Sequence, residues 1–209
     1  QGRDPNEGPQ HEVEVGSFYL ARTELTNAQY AVYLEAHPDA PKPSYWDNEL
    51  FNQPDQPIIY LDWYDAQAYC KWAGFALPTE AQWAYAARAG TSTRYWFGDD
   101  AQDLDRFGWY VGNSGGRPHS VAKIGANGFG LYDMEANIRE WTLDDYAEYT
   151  ANSHSGDGLQ RKRVDGAYRT IRGGNWAYGA DFARAAYRFG YDPGVRSDFM
   201  GFRPSKAVP

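Results

Sequence analysis

A single cysteine, Cys70, stands in a chain of 209 residues. That excludes an intrachain disulfide framework and leaves side-chain packing to hold the fold. Its setting, Ala68-Tyr69-Cys70-Lys71-Trp72, is aromatic and apolar, which suits a small core residue better than a reactive thiol. No apolar run approaches the roughly 18 residues that a bilayer-spanning helix needs. A basic excess is missing too: 28 acidic against 20 basic side chains leave a net charge of −8, which argues against a nucleic-acid-binding surface. The basic run Arg161-Lys162-Arg163 reads as a solvated loop, and Ser153 to Gly158 as a surface loop. Histidine is scarce, and His11, His37, His119 and His154 stand singly, without the spacing of a transition-metal site.

The sharpest absence is local. Between Ala177 and Phe199 there is no Lys, Glu, Gln, Met, Trp or Asn, although all six occur elsewhere in the chain. Tyr, Phe, Asp, Ser, Gly and Ala fill most of the stretch, close to the set with which antibody paratopes make contacts at low entropic cost. The candidate ligand-binding residues are Tyr178, Gly179, Ala180, Asp181, Phe182, Phe189, Gly190, Tyr191, Asp192, Val195, Ser197, Asp198 and Phe199. They interleave with a candidate scaffold of Arg172, Gly173, Gly174, Trp176, Arg184, Tyr187, Arg188, Pro193, Arg196, Gly201, Phe202 and Arg203. The scaffold arginines are suited to planar, multidentate bonds to carboxylates and carbonyls. Phe182, Phe189, Tyr191 and Phe199 keep no helical or strand period and alternate with Asp and Gly. They are expected at exposed loop tips, where clustered aromatics mark an interaction surface.

What is abundant is aromatic: 17% of residues, with 8 Trp and 17 Tyr, alongside 22 Gly and 12 Pro. Large rings and frequent turns favour one loop-rich α+β domain over residues 1–209. Thr26 with Gln29 three residues on predicts a capped helix with Tyr30, Tyr33 and Leu34 on its inner face. A second helix is expected from about Asp62 to Ala73, with Ala66, Tyr69, Cys70 and Ala73 inward and Gly74 as its stop. Thr79 and Gln82 open a third, with Trp83, Ala86 and Ala87 inward and Gly90 as terminator. Short strands are expected around Val13 to Leu20, and then at Tyr95–Gly98, Trp109–Gly112 and Gly128–Tyr132. The acidic pairs Asp62 and Asp65, Asp99 and Asp100, and Asp144 and Asp145 read as caps, turns or loops. There is no nucleophile elbow and no phosphate-cradling glycine loop.

Four segments in order are distinctive: Glu7-Gly-Pro-Gln-His-Glu-Val13 with Glu24-Leu-Thr-Asn-Ala-Gln-Tyr30; Trp63-Tyr-Asp-Ala66 with Leu77-Pro-Thr-Glu80 and Trp83; Asn127-Gly-Phe-Gly-Leu-Tyr-Asp-Met134 with Asn137 and Glu140-Trp141; and Arg172-Gly-Gly174 with Gly201-Phe-Arg203. Together they closely resemble the formylglycine-generating enzyme, or sulfatase-modifying factor, family. The resemblance implies a C-type-lectin-like fold with about three helices and few short strands.

It also sets a contrast. The family's oxidases hold copper with paired cysteines after the Arg-Gly-Gly motif, whereas Asn175 to Ala183 here contains none, so copper-dependent formylglycine generation is not expected. The iron-dependent branch needs a histidine cluster, also missing. Asn137-Ile-Arg-Glu140 matches a family segment that supplies oxygen ligands to structural calcium, which makes Asn137 and Glu140 candidate calcium ligands; the alternative is that they satisfy turn backbone beside Trp141. No other cofactor is required. Within the fold, the interleaved C-terminal segment resembles the variable proteins of diversity-generating retroelements, in which adenine-directed mutagenesis permits the residue types found here. That resemblance implies a non-catalytic binder of a protein or cell-surface receptor in a cell-surface, secreted or virion setting. The alternative is a cysteine-free oxidase-like or tailoring enzyme of the same family.

Overall fold

The computed structural model describes residues 4–149 and 167–208. The loop expected from Ser153 to Gly158, His154 within it, and Arg161 to Arg163 lie outside the described residues.

Three helices form where their caps predict. In α1, Asn27–Ala36, the Thr26 side chain accepts from the Gln29 N–H and Gln29 reaches back to the Thr26 N–H. The α2 helix, Trp63–Ala73, is boxed in the same way by Asp62 and Asp65, and it stops at Gly74 in the left-handed conformation that glycine adopts without penalty. The α3 helix, Glu80–Arg88, is capped by Thr79 and Gln82. Its left-handed residue is Ala89 rather than the expected Gly90, which follows with its own positive φ.

Tyr30, Tyr33, Leu34, Ala66, Tyr69 and Cys70 all face the main core, where they meet Ile58, Ile59, Leu61, Trp141 and Phe202. Rings touch rings throughout: Tyr30 stacks on Tyr69, and Tyr69 meets Phe202 edge-on. A second cluster gathers Trp83, Ala86 and Ala87 with Leu131 and Met134.

One expected strand forms, within Val13 to Leu20, but the larger sheet lies elsewhere than the sequence suggests. Strand β1, Phe18–Leu20, pairs antiparallel with the C-terminal β6, Ser205–Ala207. The larger sheet contains β2, Arg139–Asp145, β3, Arg169–Arg172, β4, Arg188–Tyr191, and β5, Met200–Gly201, in the order β4-β3-β2-β5. Trp109–Gly112 and Gly128–Tyr132 are turns and loop, and Tyr95 to Gly98 closes on itself as a single bridged turn. There, Tyr95 stacks on Phe97 and Phe97 on Phe107, so ring packing replaces strand pairing.

This topology defines two excursions. The first leaves β3 at Arg172 and returns on β4 at Arg188, two residues paired across the sheet. The second leaves β4 after Tyr191 and returns on β5, where Met200 lies beside Arg139 in parallel register.

Candidate binding face

Buried carboxylates anchor the excursions. Arg188, fully buried, grips Glu80 with a two-pronged contact, Nε to Oε1 and Nη2 to Oε2, both at 2.7 Å. Arg172 lies 3.5 Å from the same Glu80 and donates to the carbonyls of Ala185 and Tyr187. Arg203 makes the matching fork on Glu140, with Nε and Nη2 each at 2.7 Å from an oxygen. Arg184 reaches Glu7 at 2.7 Å and Asp4 at 3.3 Å. Bidentate pairs of this kind hold direction as well as charge. Burial pushes the Glu80 carboxyl up, but the hydrogen bonds and charge of Arg188, followed by the charge of Arg172, outweigh burial and hold it below the ordinary carboxylate value. Arg196 performs the same service at the α2 N-terminus, 2.8 Å from Asp62 and 2.7 Å from Asp65. That acidic pair is therefore a cap and an anchor.

Between these anchors the candidate contact residues come forward. Asp181, Phe189 and Asp192 are exposed; Tyr178, Gly179, Ala180, Phe182, Tyr191, Val195, Ser197, Asp198 and Phe199 are half-buried. The neighbours Arg188 and Phe189 mark the contrast: the first is 0% exposed and the second 43%. Asp181 pairs with Arg94, and Asp192 caps its own turn by accepting from the Gly194 N–H at 2.8 Å.

Three expectations change. Phe189 and Tyr191 lie on strand β4 and not at loop tips, because Phe189 pairs with Ile171 and Tyr191 with Arg169 in β3. Tyr191, Val195 and Phe199 each rest one side on the main core. Gly190 is buried and leaves the contact set: a Cβ there would stand 2.5 Å from the Tyr146 ring, so packing holds that position as glycine.

The sequence did not single out Arg139. It is only 3% exposed, yet its Nε has no hydrogen-bond partner, and it makes none of the carboxylate pairs of its buried counterparts. Four rings surround its guanidinium, with centroids at 4.8 Å for Tyr178, 5.5 Å for Tyr187, 5.6 Å for Phe199 and 6.0 Å for Phe182. Three of these four belong to the candidate contact set. No adjacent residue signals it: Arg139 stands between Ile138 and Glu140-Trp141 in a strand whose burial shows only in the fold.

Asn137 and Glu140 are also fully buried, but the protein occupies them. Glu140 accepts from Arg203 and, at 2.7 Å, from the Trp83 indole N–H. Asn137 Oδ1 accepts from the His119 N–H at 2.9 Å, its Nδ2 donates to Glu24, and its carbonyl takes the Trp176 N–H. A calcium ion at Glu140 would sit against the Arg203 guanidinium, so these two side chains do not fit one. Asn137 adopts a positive φ of 71° and works as a turn-satisfying residue. Glu24, buried beside Asp133 and Glu140, has its carboxyl raised well above the ordinary value by burial and then by those like charges. Among the described residues no group of three or more His, Cys, Asp and Glu could hold a metal ion. Cys70 is 2% exposed in the aromatic core, where burial pushes its thiol up to about 12 and removes it from thiolate chemistry.

Comparison with known proteins agrees with this architecture. Residues 1–208 match the family described as the sulfatase-modifying factor enzyme 1-like domain. The serine/threonine-protein kinase pkn1 of Chlamydia caviae is 34% identical over 97% of this chain, a match covering 35% of that protein. The chain thus spans about a third of the length of the chlamydial kinases it matches. Treponema denticola variable protein 1 superposes with a TM-score of 0.83 at 25% identity, over 95% of this chain and 87% of the other. PvdO from Pseudomonas aeruginosa does so with a TM-score of 0.86 at 26% identity, over 99% and 87%. No helix among the described residues is long and apolar enough to cross a membrane. The three capped helices, the short-stranded sheet and the arginine-anchored excursions form the C-type-lectin-like α+β architecture, and the chain belongs to the sulfatase-modifying factor enzyme 1-like domain family.

Proposed function

We propose that the face formed by residues 177–199 binds a protein or cell-surface receptor without catalysing a reaction. Its contact positions vary between otherwise similar chains, as in the variable proteins of diversity-generating retroelements that the segment resembles. One observation carries this reading: burial alternates along the segment in step with residue type. Arg172, Gly173, Gly174, Arg184, Tyr187, Arg188 and Pro193 are buried, and Tyr178, Asp181, Phe182, Phe189, Tyr191 and Asp192 between them reach the surface; Gly190 is buried, and of the remaining scaffold Trp176 is half-buried and Arg196 exposed. Partly exposed rings give contact area at low entropic cost, and the interspersed carboxylates give polar selectivity. The structural match to a variable protein from Treponema denticola supports the same reading. The family description names an enzyme, but the only thiol of this chain is sealed in the core, far in chemical character from a metal-binding thiolate.

Sequencing the gene in independent isolates tests the proposal. Replacements are expected at Tyr178, Asp181, Phe182, Phe189, Asp192 and the other accessible positions, and not at Arg172, Arg184, Arg188 or Arg203. A neighbouring near-copy of the 177–199 coding region, differing only at adenines and beside a reverse transcriptase, is expected with it. Replacements spread evenly over both sets of residues would overturn the reading.

A further inference from the structure

We propose that Arg139 is a carboxylate-binding site set into the floor of this face. The inference rests on the binding reading above and adds the chemistry of what is bound. An arginine always carries its charge and offers five N–H donors in one plane. Arg184, Arg188 and Arg203 answer that plane with a buried Glu, and Arg172, whose Nε also lacks an acceptor, still has the Glu80 charge at 3.5 Å and two carbonyls on its Nη atoms. Arg139, equally deep, has neither a carboxylate nor a carbonyl partner among the described residues, and its Nε is sealed without an acceptor.

The surrounding rings do not replace one. Their faces attract a cation diffusely, but a ring supplies no lone pair in the guanidinium plane, so the directional donors stay unmet. Burying a cation whose donors lack acceptors is unfavourable, and a residue retained under those terms is explained by a ligand that completes it. Nε is closed off from solvent; a ligand would have to reach the Nη pair, beside the rings of Tyr178, Phe182 and Phe199.

The site's chemistry favours a carboxylate over a phosphate. A planar carboxylate matches the fork with two parallel bonds and one unit of charge. A phosphate brings more charge and more acceptors than one arginine can answer. No lysine lies between Ala177 and Phe199 to help, and the nearby Arg184 is already committed to Glu7. The aromatic walls select what the carboxylate is attached to: a ring or another apolar group. A receptor's acidic side chain beside an aromatic residue, or a free C-terminus on one, supplies this chemistry equally.

Benzoate is the simplest probe. In an NMR titration of the whole chain, millimolar benzoate is expected to shift the Arg139 Nε–H resonance and the ring signals of Tyr178 and Phe199, with benzamide and inorganic phosphate leaving them in place. Arg139→Met should weaken benzoate binding at least tenfold without lowering the unfolding midpoint, since it removes an unmatched charge and keeps the apolar stem. Arg139→Lys retains the charge without the fork and should bind between the two. Equal responses to benzoate and benzamide, a response to phosphate as strong as to benzoate, or an Arg139→Met chain that melts several degrees lower and still binds benzoate would each overturn the site. If Arg139→Met does not fold, the wild-type titration and Arg139→Lys decide. A peptide ending in a free Phe carboxylate and an amidated peptide with an internal Asp-Phe pair then separate the two sources. Failure here, with gene variation still confined to the accessible positions, would leave the binding face standing; benzoate binding with evenly spread variation would do the reverse.

Discussion

Arg188 and Arg139 are both buried cations of the same four-stranded sheet, and they have opposite surroundings. Around Arg188 the protein assembles Glu80, the Ala147 carbonyl and the Tyr149 ring, so its charge is matched and each of its three nitrogens is hydrogen-bonded from within. Around Arg139 it assembles four rings, and among the described residues no acid pairs with it. The lesson is that buried charge has two uses in this fold. Where it is matched, it fixes the course of the chain between short strands; where it is unmatched, it sits directly beneath the residues that face outward.

The largest expected effect lies on the matched side. Glu80→Gln leaves Arg172 and Arg188 without a counter-charge, and breaking a buried pair from one side costs about 3–5 kcal/mol, measurable by denaturant unfolding at neutral pH. The Glu80 carboxyl is held below its ordinary value in the folded state. Its contribution is therefore present above the unfolded-state carboxylate value and is lost as pH falls through the folded one. The difference between wild type and Glu80→Gln should accordingly shrink in acid; a deficit that stays constant with pH would mean that shape, not charge, makes Glu80 matter.

A smaller effect tests the boundary between framework and face. Gly190→Ala drives a methyl into the Tyr146 ring, and overpacking of this kind costs about 1–3 kcal/mol. A neutral result in the same unfolding experiment would return position 190 to the contact set. At the bottom of the scale, Phe189→Ala, on the same strand, should change stability by no more than about 0.5 kcal/mol, as exposed sites do. A larger loss would make Phe189 a packing residue and blur the contrast with Arg188.

The sequence was most legible where structure is local. Caps at Thr26, Asp62 and Thr79 depend on residues three apart, and the inner faces of the helices follow a fixed period; both can be read without knowing what lies opposite. The arginine framework was legible in kind, because a loop-rich chain has few other ways to fix its course. Strand β2 was not. Arg139, Glu140, Thr142, Asp144 and Asp145 are buried along it, so the usual alternation of apolar and polar residues never appears, and what makes the polar ones tolerable is distant in sequence. Tyr95-Trp96-Phe97 misled in the opposite sense: their strand-like composition serves ring stacking in a turn. Gly190 and Arg139 share the same difficulty. The first is explained by Tyr146 and the second by the absence of an acid, and neither can be seen from adjacent residues.

The second excursion has a consequence for length as well as composition. Its ends are set by strand register, Tyr191 opposite Arg169 and Met200 beside Arg139, while Gly194 at its tip is exposed. Since the ends are already held together by the sheet, inserting residues at that tip costs mainly loop-closure entropy, about 0.6 kcal/mol for each doubling. The reach of the face is thus nearly as free to change as its chemistry, and a longer tip could meet a recessed target without disturbing Arg172, Arg184, Arg188 or Arg203.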